Sequence, residues 1–332
     1  MIRLKRKSII PWKVFFYTVI ALVIPIQLCF GAEDPAKFPS KPIKMIVPYG
    51  AGGASDLIAR KLAELAGKTL NQPILVEVKA GGAGVIGTTA VAKSPPDGYT
   101  LLLTSCSPMN YVPLQRAVPY DIKKDFTYII QIADFSFPFA VRADSKFKTF
   151  KDFIEEARKN PGKLNYQSQG AKSAGHIQME YVFSVEKVRL NHVPGEGVAE
   201  VIRQLLGGHV DGGIGAGLGV QIKTGNLRAL AIAGVERNKN FPNIPTFYEL
   251  GYKQGIPFGC AFGIVAPKGM DAQITEKLHD AFKKAFDDAS YIELIDSMQE
   301  AHAYKDAKSY TLMTIQDYDT IEKIVKEIGL AK

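Results

Sequence analysis

A glycine-rich stretch near the start of the chain has the composition of an anion-binding turn. It follows the apolar run Ile43 to Val47 and leads into a helix-like segment that begins near Leu57. Glycine allows a ligand to approach the backbone closely, and the first turn of a helix leaves N–H groups without intrahelical partners. Those donors and the positive end of the helix dipole both favour an anion. The candidate ligand-binding residues here are Tyr49, Gly52, Gly53, Ala54, Ser55 and Asp56.

Two further loops are predicted to lie beside this one. Ala80 to Gly87 follows the predicted strand Ile74 to Val78, and Thr104 to Ser107 ends the predicted strand Tyr99 to Thr104. In open parallel sheets, ligands bind beyond the carboxyl ends of the strands. All three loops lie at such ends, so their convergence predicts one binding site.

The elements that would position these loops alternate between short apolar runs and amphipathic segments, which is typical of an α/β fold. Helices are predicted at Leu57 to Gly67, Thr149 to Lys159, Asp271 to Asp288 and Ala307 to Glu327, where apolar residues recur at three- and four-residue spacing. The remaining predicted strands are Phe126 to Ile132, Phe137 to Val141, Leu164 to Gln167, Val188 to His192, His209 to Ile214, Leu227 to Ala233 and Phe258 to Ala266.

Residues 1 to 31 have the pattern of a secretory signal peptide, because five basic residues precede the apolar run Val14 to Leu28. Pro25 and Gln27 interrupt this run, which disfavours a membrane anchor. Cleavage is expected near Gly31 and Ala32, and lipid attachment at Cys29 is the less favoured alternative. Without the leader, 36 of the 41 Lys and Arg residues remain against 33 acids, a balance of +3. The mature chain therefore gives no basic cluster for nucleic acid.

Cys106 and Cys260 are the cysteines of the expected mature chain. Buried free thiols are the preferred interpretation, and a disulfide stays open because sequence does not give the distance between them. The histidine and cysteine spacings match no zinc motif, so neither a metal nor a cofactor is expected. The first glycine loop also lacks the third glycine of a dinucleotide fingerprint. That fingerprint needs an acidic residue at the end of the second strand to bind the ribose, whereas Glu77 lies inside the strand.

Many segments of the mature chain, in the same order along the sequence, resemble one family. They are Lys41 to Lys44, Val47 to Tyr49, Gly52 to Asp56, Gly81 to Gly84 with Gly87, Pro96 to Leu102, Tyr120 to Phe126, Asn160 to Tyr166, His192 to Pro194, Leu206 to Asp211, Gly225 to Ala231 and Pro242 to Thr246. The chain resembles the periplasmic substrate-binding receptors of tripartite tricarboxylate transporters, also called the Bug family.

The resemblance implies a two-lobed periplasmic binding protein, type II-like, with a ligand cleft between its lobes. Residues 39–138 and 259–332 would form the first lobe, and residues 139–258 the second. The strands near Phe137 to Val141 and Gly259 to Ile264 would cross between them.

The resemblance also implies how a solute is held. Backbone groups of the first two loops, with bridging water, would grip a carboxylate. The residues implied in this way are Gly52 to Ser55, Ala83, Gly84 and Val85, with Thr104 and Ser105 on the cleft floor; the second lobe would add Gly170, Ala171, Lys172, Ser173, His176, Gly195, Gly215 and Ala216.

Three of these side chains have an alternative, structural interpretation. Asp56 is expected to satisfy backbone donors near a helix start rather than to contact ligand. His176 is a cleft residue or a packing residue, with neither favoured. Lys172 could pair with a second carboxylate, although most loop lysines are simply solvated.

Gly195 and Glu196 depart from the family pattern, which commonly has an aromatic and then a basic residue after the His192 to Pro194 segment. The loop Gly212 to Gly219 is also almost without side chains. We therefore expect an altered or roomier pocket, for a bulkier or less charged solute.

The expected function is capture of an organic carboxylate and its delivery to integral-membrane transporter subunits, by a monomer that is not an enzyme. No G-x-S-x-G nucleophile elbow occurs, although a Ser-His-Asp set could still assemble in space. The alternatives are an exported α/β hydrolase-like enzyme acting on a small carboxylic ester, or a ligand sensor subunit for a membrane kinase.

Overall fold

The structure is a computed structural model that describes residues 34–234, 236–252 and 259–331. The predicted signal peptide, its expected cleavage position and Cys29 lie outside the described residues. No helix in the described ranges is long and apolar enough to span a membrane.

The strands in the described part of the chain form two five-stranded sheets. In chain order they are β1 (Ile43–Val47), β2 (Ile74–Val78), β3 (Thr100–Thr104), β4 (Phe126–Phe135), β5 (Pro138–Arg142), β6 (Asn165–Ser168), β7 (Asn191–Pro194), β8 (Gly212–Ile214), β9 (Leu227–Ile232) and β10 (Cys260–Pro267). The first sheet has the order β2-β1-β3-β10-β4 and the second has the order β7-β6-β8-β5-β9.

Helices connect and cover these sheets. They are α1 (Ala54–Leu70), α2 (Val85–Ala92), α3 (Val112–Gln115), α4 (Phe150–Lys159), α5 (Ala174–Glu186), α6 (Val198–Leu206), α7 (Gly219–Lys223), α8 (Ala272–Phe286), α9 (Ala289–Ser297) and α10 (Ala307–Glu327). A short 3₁₀ turn at Gly82–Gly84 precedes α2, and a π-helical turn at Ser107–Tyr111 precedes α3. Sheets with covering helices confirm the predicted α/β class.

The first sheet carries the three glycine- or hydroxyl-containing loops at one edge. β1 pairs in parallel with both β2 and β3, so the loops that follow these three strands emerge side by side. The apolar stripe of α1, which includes Ile58, Leu62 and Ala66, is fully buried. It packs beside α8, whose Leu278 and Phe282 are also fully buried.

The second sheet repeats this arrangement. β6 pairs in parallel with β7 and β8, so the loops after these strands also share one edge. Phe139 of β5 packs its ring edge-to-face against Phe150 and Phe153 of α4, with centroids 5.5 and 4.9 Å apart. Such aromatic pairs add about 0.5–1.5 kcal/mol beyond the apolar area they bury. This cluster fixes α4 on the sheet face.

The chain passes from the first sheet to the second between Phe135 and Pro138. It returns between Ile232, the last residue of β9, and Cys260, the first of β10, through a segment that includes undescribed residues. The division into lobes at 39–138, 139–258 and 259–332 stays a prediction.

The sequence did not predict helices at residues 107–115, in α7 (Gly219–Lys223) or in α9. Residues 107–115 carry two prolines and were given no helix, yet prolines at the first turn are compatible with helical geometry. The predicted helix Asp271 to Asp288 ends at Phe286, and α9 follows at once. There the Asp288 carboxylate accepts the Ser290 N–H at 2.9 Å and caps the new helix.

The preference for free thiols at Cys106 and Cys260 was wrong. The two residues form a disulfide, and their Cα atoms lie 5.3 Å apart. Because β3 and β10 are antiparallel neighbours, residues that follow β3 lie beside the start of β10. That pairing is a long-range contact, which spacing along the sequence does not reveal.

We predict that the mature protein, denatured without reductant, exposes no reactive thiol, and that reduction releases the thiols of Cys106 and Cys260. A variant with both cysteines changed to serine should lose about 2–4 kcal/mol of unfolding free energy, because the bridge closes a long loop in the unfolded chain. Thiol titration and urea unfolding measure the two effects. Thiols that react fully before reduction would contradict the bridge.

Candidate functional site

Asp56 orders the loop between β1 and α1. Its carboxylate accepts the Gly52 N–H at 2.9 Å and pairs with Arg60 at 2.9 Å. Burial raises the pKa of Asp56, but the Gly52 and Arg60 contacts outweigh it and leave the pKa below its usual value. Asp56 is 4% exposed and accepts a backbone N–H near the helix start, as expected from its position.

The first turn of α1 has no side-chain cap. Its N-cap residue is Gly53, which makes no side-chain cap hydrogen bond. The Asp56 carboxylate accepts the N–H of Gly52, which precedes the helix. Gly53 and Ala54 are half-buried and Ser55 is buried. The N–H groups at this helix start are the donors an anion would use.

The second loop gives a similar helix start. Gly84 is the N-cap of α2, with φ of 93°, and it too has no side-chain cap. Ala83 before it has φ of 53°, which is unusual for a residue with a side chain. The Arg116 guanidinium donates to the Gly82 carbonyl at 2.6 Å. Arg116 thus orders this loop and brings a positive charge beside it.

Close packing joins the three loops of the first sheet. A Cβ at Gly87 would lie 2.9 Å from the Cβ of Pro48, and one at Gly84 would lie 3.0 Å from Pro108. The hydroxyls of Tyr49 and Ser105 are hydrogen-bonded at 2.7 Å. The structure therefore brings the predicted residues of all three loops together.

Burial raises the pKa of Tyr49 to about 12, against a partial lowering by its hydroxyl neighbours. Tyr49 therefore keeps its proton at neutral pH and adds no negative charge to the site. Thr104 is fully buried and Ser105 is 4% exposed, so both lie at the base of these loops.

Hydrogen bonds join residues that follow β3 to the loop after β6 of the second sheet. The Ser107 hydroxyl accepts the Ala174 N–H at 3.3 Å, where α5 begins. The Gln115 amide donates to the Lys172 carbonyl at 2.9 Å, and the Lys172 ammonium donates to the Gln115 carbonyl at 3.1 Å. The loops after β3 and β6 therefore meet.

Lys172 and His176 have defined structural contacts. Lys172 has φ of 65°, and its N–H donates to His176 Nδ1 at 2.9 Å. Ser173 is the N-cap of α5, whereas Gly170 and Ala171 form the turn before it. His176 stacks on His192 with centroids 3.8 Å apart. His176 packs and orders the loop, and a ligand contact for it or for Lys172 stays a prediction.

The two stacked histidines are uncharged. Burial, with a smaller contribution from the neighbouring His176, lowers the pKa of His192 to about 3. Burial also lowers the pKa of His176, although Glu180 opposes this effect. Two parallel rings this close would repel each other if both were protonated, so the stack disfavours the doubly charged state.

Ser168 and His192 form the kind of contact that a hydrolase would need, with Oγ and Nε2 2.8 Å apart. However, the Ser168 hydroxyl also lies 2.9 Å from the Gly170 carbonyl, an acceptor that competes with His192 for the single hydroxyl proton. Ser168 is also fully buried. This geometry does not favour a serine nucleophile. No group of three or more His, Cys, Asp or Glu residues in the described ranges could hold a metal.

Gln169 holds the loop after β8. Its amide donates to the Ala216 carbonyl at 3.2 Å and accepts the Ala216 N–H at 3.3 Å. Gly215 packs against the Gln169 side chain, where a Cβ would lie 3.0 Å from Cγ. Gly215 and Ala216 are therefore buried and fixed by a neighbouring strand end.

Gly195 is required by close packing. Its N–H donates to the Ser168 carbonyl at 3.0 Å, and a Cβ there would lie 2.8 Å from that same oxygen. A larger residue at 195 would therefore need the backbone to shift. The expected roomier pocket stays a prediction.

Several residues that contact the candidate loops were not predicted from the sequence. Arg116, Gln115 and Gln169 were not predicted, because each acts through a contact with a distant or folded-back segment. Ser107 lay within the predicted Thr104 to Ser107 stretch but was given no role.

Comparison with known proteins identifies the family. The model of the tripartite tricarboxylate transporter family receptor matches residues 58–330. The chain belongs to this receptor family. The UPF0065 protein in the gbd 5′ region of Cupriavidus necator is 38% identical over 89% of this chain and 90% of its own length. BugT of Bordetella pertussis is 34% identical over 77% of this chain and 79% of its own length.

Solved structures share the two-lobed α/β fold of periplasmic binding proteins, as predicted. The periplasmic binding protein BugD is 29% identical, with a TM-score of 0.79 over 89% of this chain and 100% of its own. MatC of Rhodopseudomonas palustris with bound malate is 25% identical, with a TM-score of 0.79 over 87% and 100%. Rpa4515 of the same organism with adipate is 25% identical, with a TM-score of 0.80 over 89% and 99%.

We predict that acid destabilises this receptor partly through His192. Its pKa is lower in the folded protein than in the unfolded chain, so its contribution is present above pH 6.5 and declines as pH falls toward 3. Between pH 7 and pH 4.5 the contribution should fall by about 1–2 kcal/mol, since partial contact with water weakens the effect. Urea unfolding of His192→Gln should show a smaller pH dependence than wild type.

The exposed His209 supplies the control. His209→Gln should keep the wild-type pH dependence. Equal pH dependence in the His192→Gln variant and wild type would show that His192 is not the acid-sensitive group.

Proposed function

We propose that this receptor captures an organic carboxylate between its two sheets, outside the cytoplasm, and delivers it to the membrane subunits of a tripartite tricarboxylate transporter. The observation that carries this proposal is the pair of uncapped helix starts at Gly53 and Gly84, set beside one another by the Gly87 contact with Pro48. Backbone donors at two helix N-termini suit a carboxylate, which accepts several hydrogen bonds.

Charges around these helix starts support the same class of ligand. The Asp56 carboxylate is paired with Arg60 and with the Gly52 N–H, so its negative charge is compensated within the protein. Arg116 lies beside the second loop through its bond to Gly82. A carboxylate would therefore meet backbone donors and a nearby cation.

The bound ligands of two structural neighbours support this solute class. MatC is described with malate and Rpa4515 with adipate, and both ligands are dicarboxylates of different length. We propose that the loops of the first sheet read the shared carboxylate. The residues after β6, β7 and β8 would then select among solutes, with Gly170 to Ser173, His176, Gly195, Gly215 and Ala216 on that side.

The proposal includes no covalent chemistry. The Gly170 carbonyl competes with His192 for the proton of the buried Ser168 hydroxyl, which is unfavourable for a hydrolase, and the family is one of receptors. We propose that the mature protein begins near Ala32 and acts as a monomer in the periplasm.

A charge placed at Ala83 tests the carboxylate site. Ala83 has φ of 53°, a conformation that Asp and Asn tolerate better than most residues. Ala83→Asp should weaken carboxylate binding on the order of 100-fold, because two like charges would lie a few ångströms apart at a partly buried site. Calorimetry with the best-binding acid measures the change.

Ala83→Asn is the matched control, since it has the same shape without the charge. It should bind the acid within about threefold of wild type, a difference below 1 kcal/mol. Equal affinity of the Asp and Asn variants would place the carboxylate elsewhere.

A thermal-shift screen of mono-, di- and tricarboxylates, including malate, adipate and aromatic acids, would identify the solute class. A ligand at 100 times its Kd stabilises the folded state by about 2.7 kcal/mol. A family-typical affinity for a small dicarboxylate, with none for larger acids, would refute the expectation of a roomier pocket. No shift with any acid would refute the proposed function.

A further inference from the structure

Glu300 is a buried carboxylate that links the two sheets. It lies between α9 and α10 and is 2% exposed. One oxygen, Oε2, accepts the N–H and the hydroxyl of Ser136 at 2.9 and 3.2 Å. The other, Oε1, accepts the N–H of Gly217 at 3.1 Å. A single side chain thus bonds the crossing between the sheets and the loop after β8.

The backbone beside Glu300 is fixed to the first sheet. Ala301 and Asp134 exchange two backbone hydrogen bonds, at 3.0 and 3.1 Å, so this segment pairs with the edge of β4. Gly217, by contrast, lies in the loop that follows β8 of the second sheet. The carboxylate therefore spans from a rigid edge of one sheet to a loop of the other.

Packing at Gly219 gives independent evidence of this contact. A Cβ at Gly219 would lie 2.9 Å from the Cβ of Gln299 and 3.1 Å from the Met298 carbonyl oxygen. The start of α7 therefore packs directly on the segment that carries Glu300. The glycines of the Gly212 to Gly219 loop permit this approach.

We propose that Glu300 is a positioning residue that holds the Gly212 to Gly219 loop against the first sheet, beside the proposed solute site, and that this contact is proton-linked. The inference rests on the proposed function for its role in solute binding. The contact itself exists in the protein without solute and is tested there.

The charges around Glu300 determine the direction of the pH effect. Asp134 of β4 faces it, and Lys305 and Asp317 lie near Asp134 from the side of α10. The Ala216 to Leu218 part of the loop has no ionisable side chain. Beyond Ser136, Asn238 donates to the Ser136 hydroxyl, and Arg237 is paired with Glu249.

Burial, with a smaller contribution from the Asp134 charge, raises the pKa of Glu300 to about 8 in spite of the opposing hydrogen bonds from Ser136 and Gly217. If the contact opens, the carboxyl meets water and its pKa falls toward that of an ordinary glutamate. The closed contact therefore binds a proton more tightly. It is most stable below about pH 4.5, weakens progressively as pH rises toward 8, and changes little above that.

Hydrogen exchange of the ligand-free protein tests the proposal. Peptides covering residues 212–219 are followed at pH 6 and pH 9, and rates are corrected for the intrinsic effect of pH on exchange. In wild type, protection should fall about tenfold from pH 6 to pH 9, because the local opening becomes easier. Glu300→Gln does not ionise, and its NH2 group cannot accept one of the two backbone N–H donors, so its protection should be lower overall but the same at both values.

Glu293, exposed on α9, supplies the control. Glu293→Gln should reproduce the wild-type profile, and circular dichroism melting should show that every variant is folded. A flat wild-type profile, or a pH-dependent profile that persists in Glu300→Gln, would overturn the proposal. Because no solute is present, these outcomes are separate from the result of the carboxylate screen.

A further variant, Glu300→Ala, tests the consequence for solute binding. With the best acid from the screen, Glu300→Ala should raise the dissociation rate about tenfold or more while the association rate changes little. Unchanged dissociation in a folded Glu300→Ala variant would show that the contact does not position the solute loop.

Discussion

The antiparallel pairing of β4 with β10 is the constraint on which the arrangement of this receptor depends. The two strands pair from Phe126 with Pro267 to Phe135 with Cys260. The chain leaves β4 at the same end at which it enters β10, so both connections to the second sheet lie together. β10 also pairs with the end of β3, where Thr104 faces Gly263. The loop after β3 therefore emerges beside the crossing, and the Cys106–Cys260 bridge fixes it there.

In the proposed site, this constraint places the binding chemistry in the backbone rather than in catalytic side chains. Parallel strands set the starts of α1 and α2 side by side, and in the proposed site their uncapped N–H groups would provide the donors. The nearby carboxylate of Asp56 is occupied in ordering its own loop. Recognition by backbone donors depends on the shape of the loop, so one scaffold suits many acids. The second sheet, with Gln169 and Glu300 holding its loops, would supply the selection.

Local signals in the sequence predicted much of this fold. Periodicity placed α10 at Ala307–Glu327 with the observed bounds, and turn chemistry placed the loops after β1, β2 and β3 at strand ends. Contacts that depend on tertiary structure were not predictable in the same way. The Gln115 and Lys172 pair joins residues far apart in sequence, and Glu300 acts on Gly217 across the two sheets. The α9 helix was missed because only Asp287 and the capping Asp288 separate it from α8.

A crystal structure of the mature protein with the tightest-binding organic acid tests the central claim most directly. The account predicts one carboxylate between the starts of α1 and α2, with oxygens or a bridging water within about 3.2 Å of N–H groups from both Gly52 to Ser55 and Ala83 to Val85. A carboxylate held only by side chains of the second sheet, with those N–H groups facing bulk water, would contradict it.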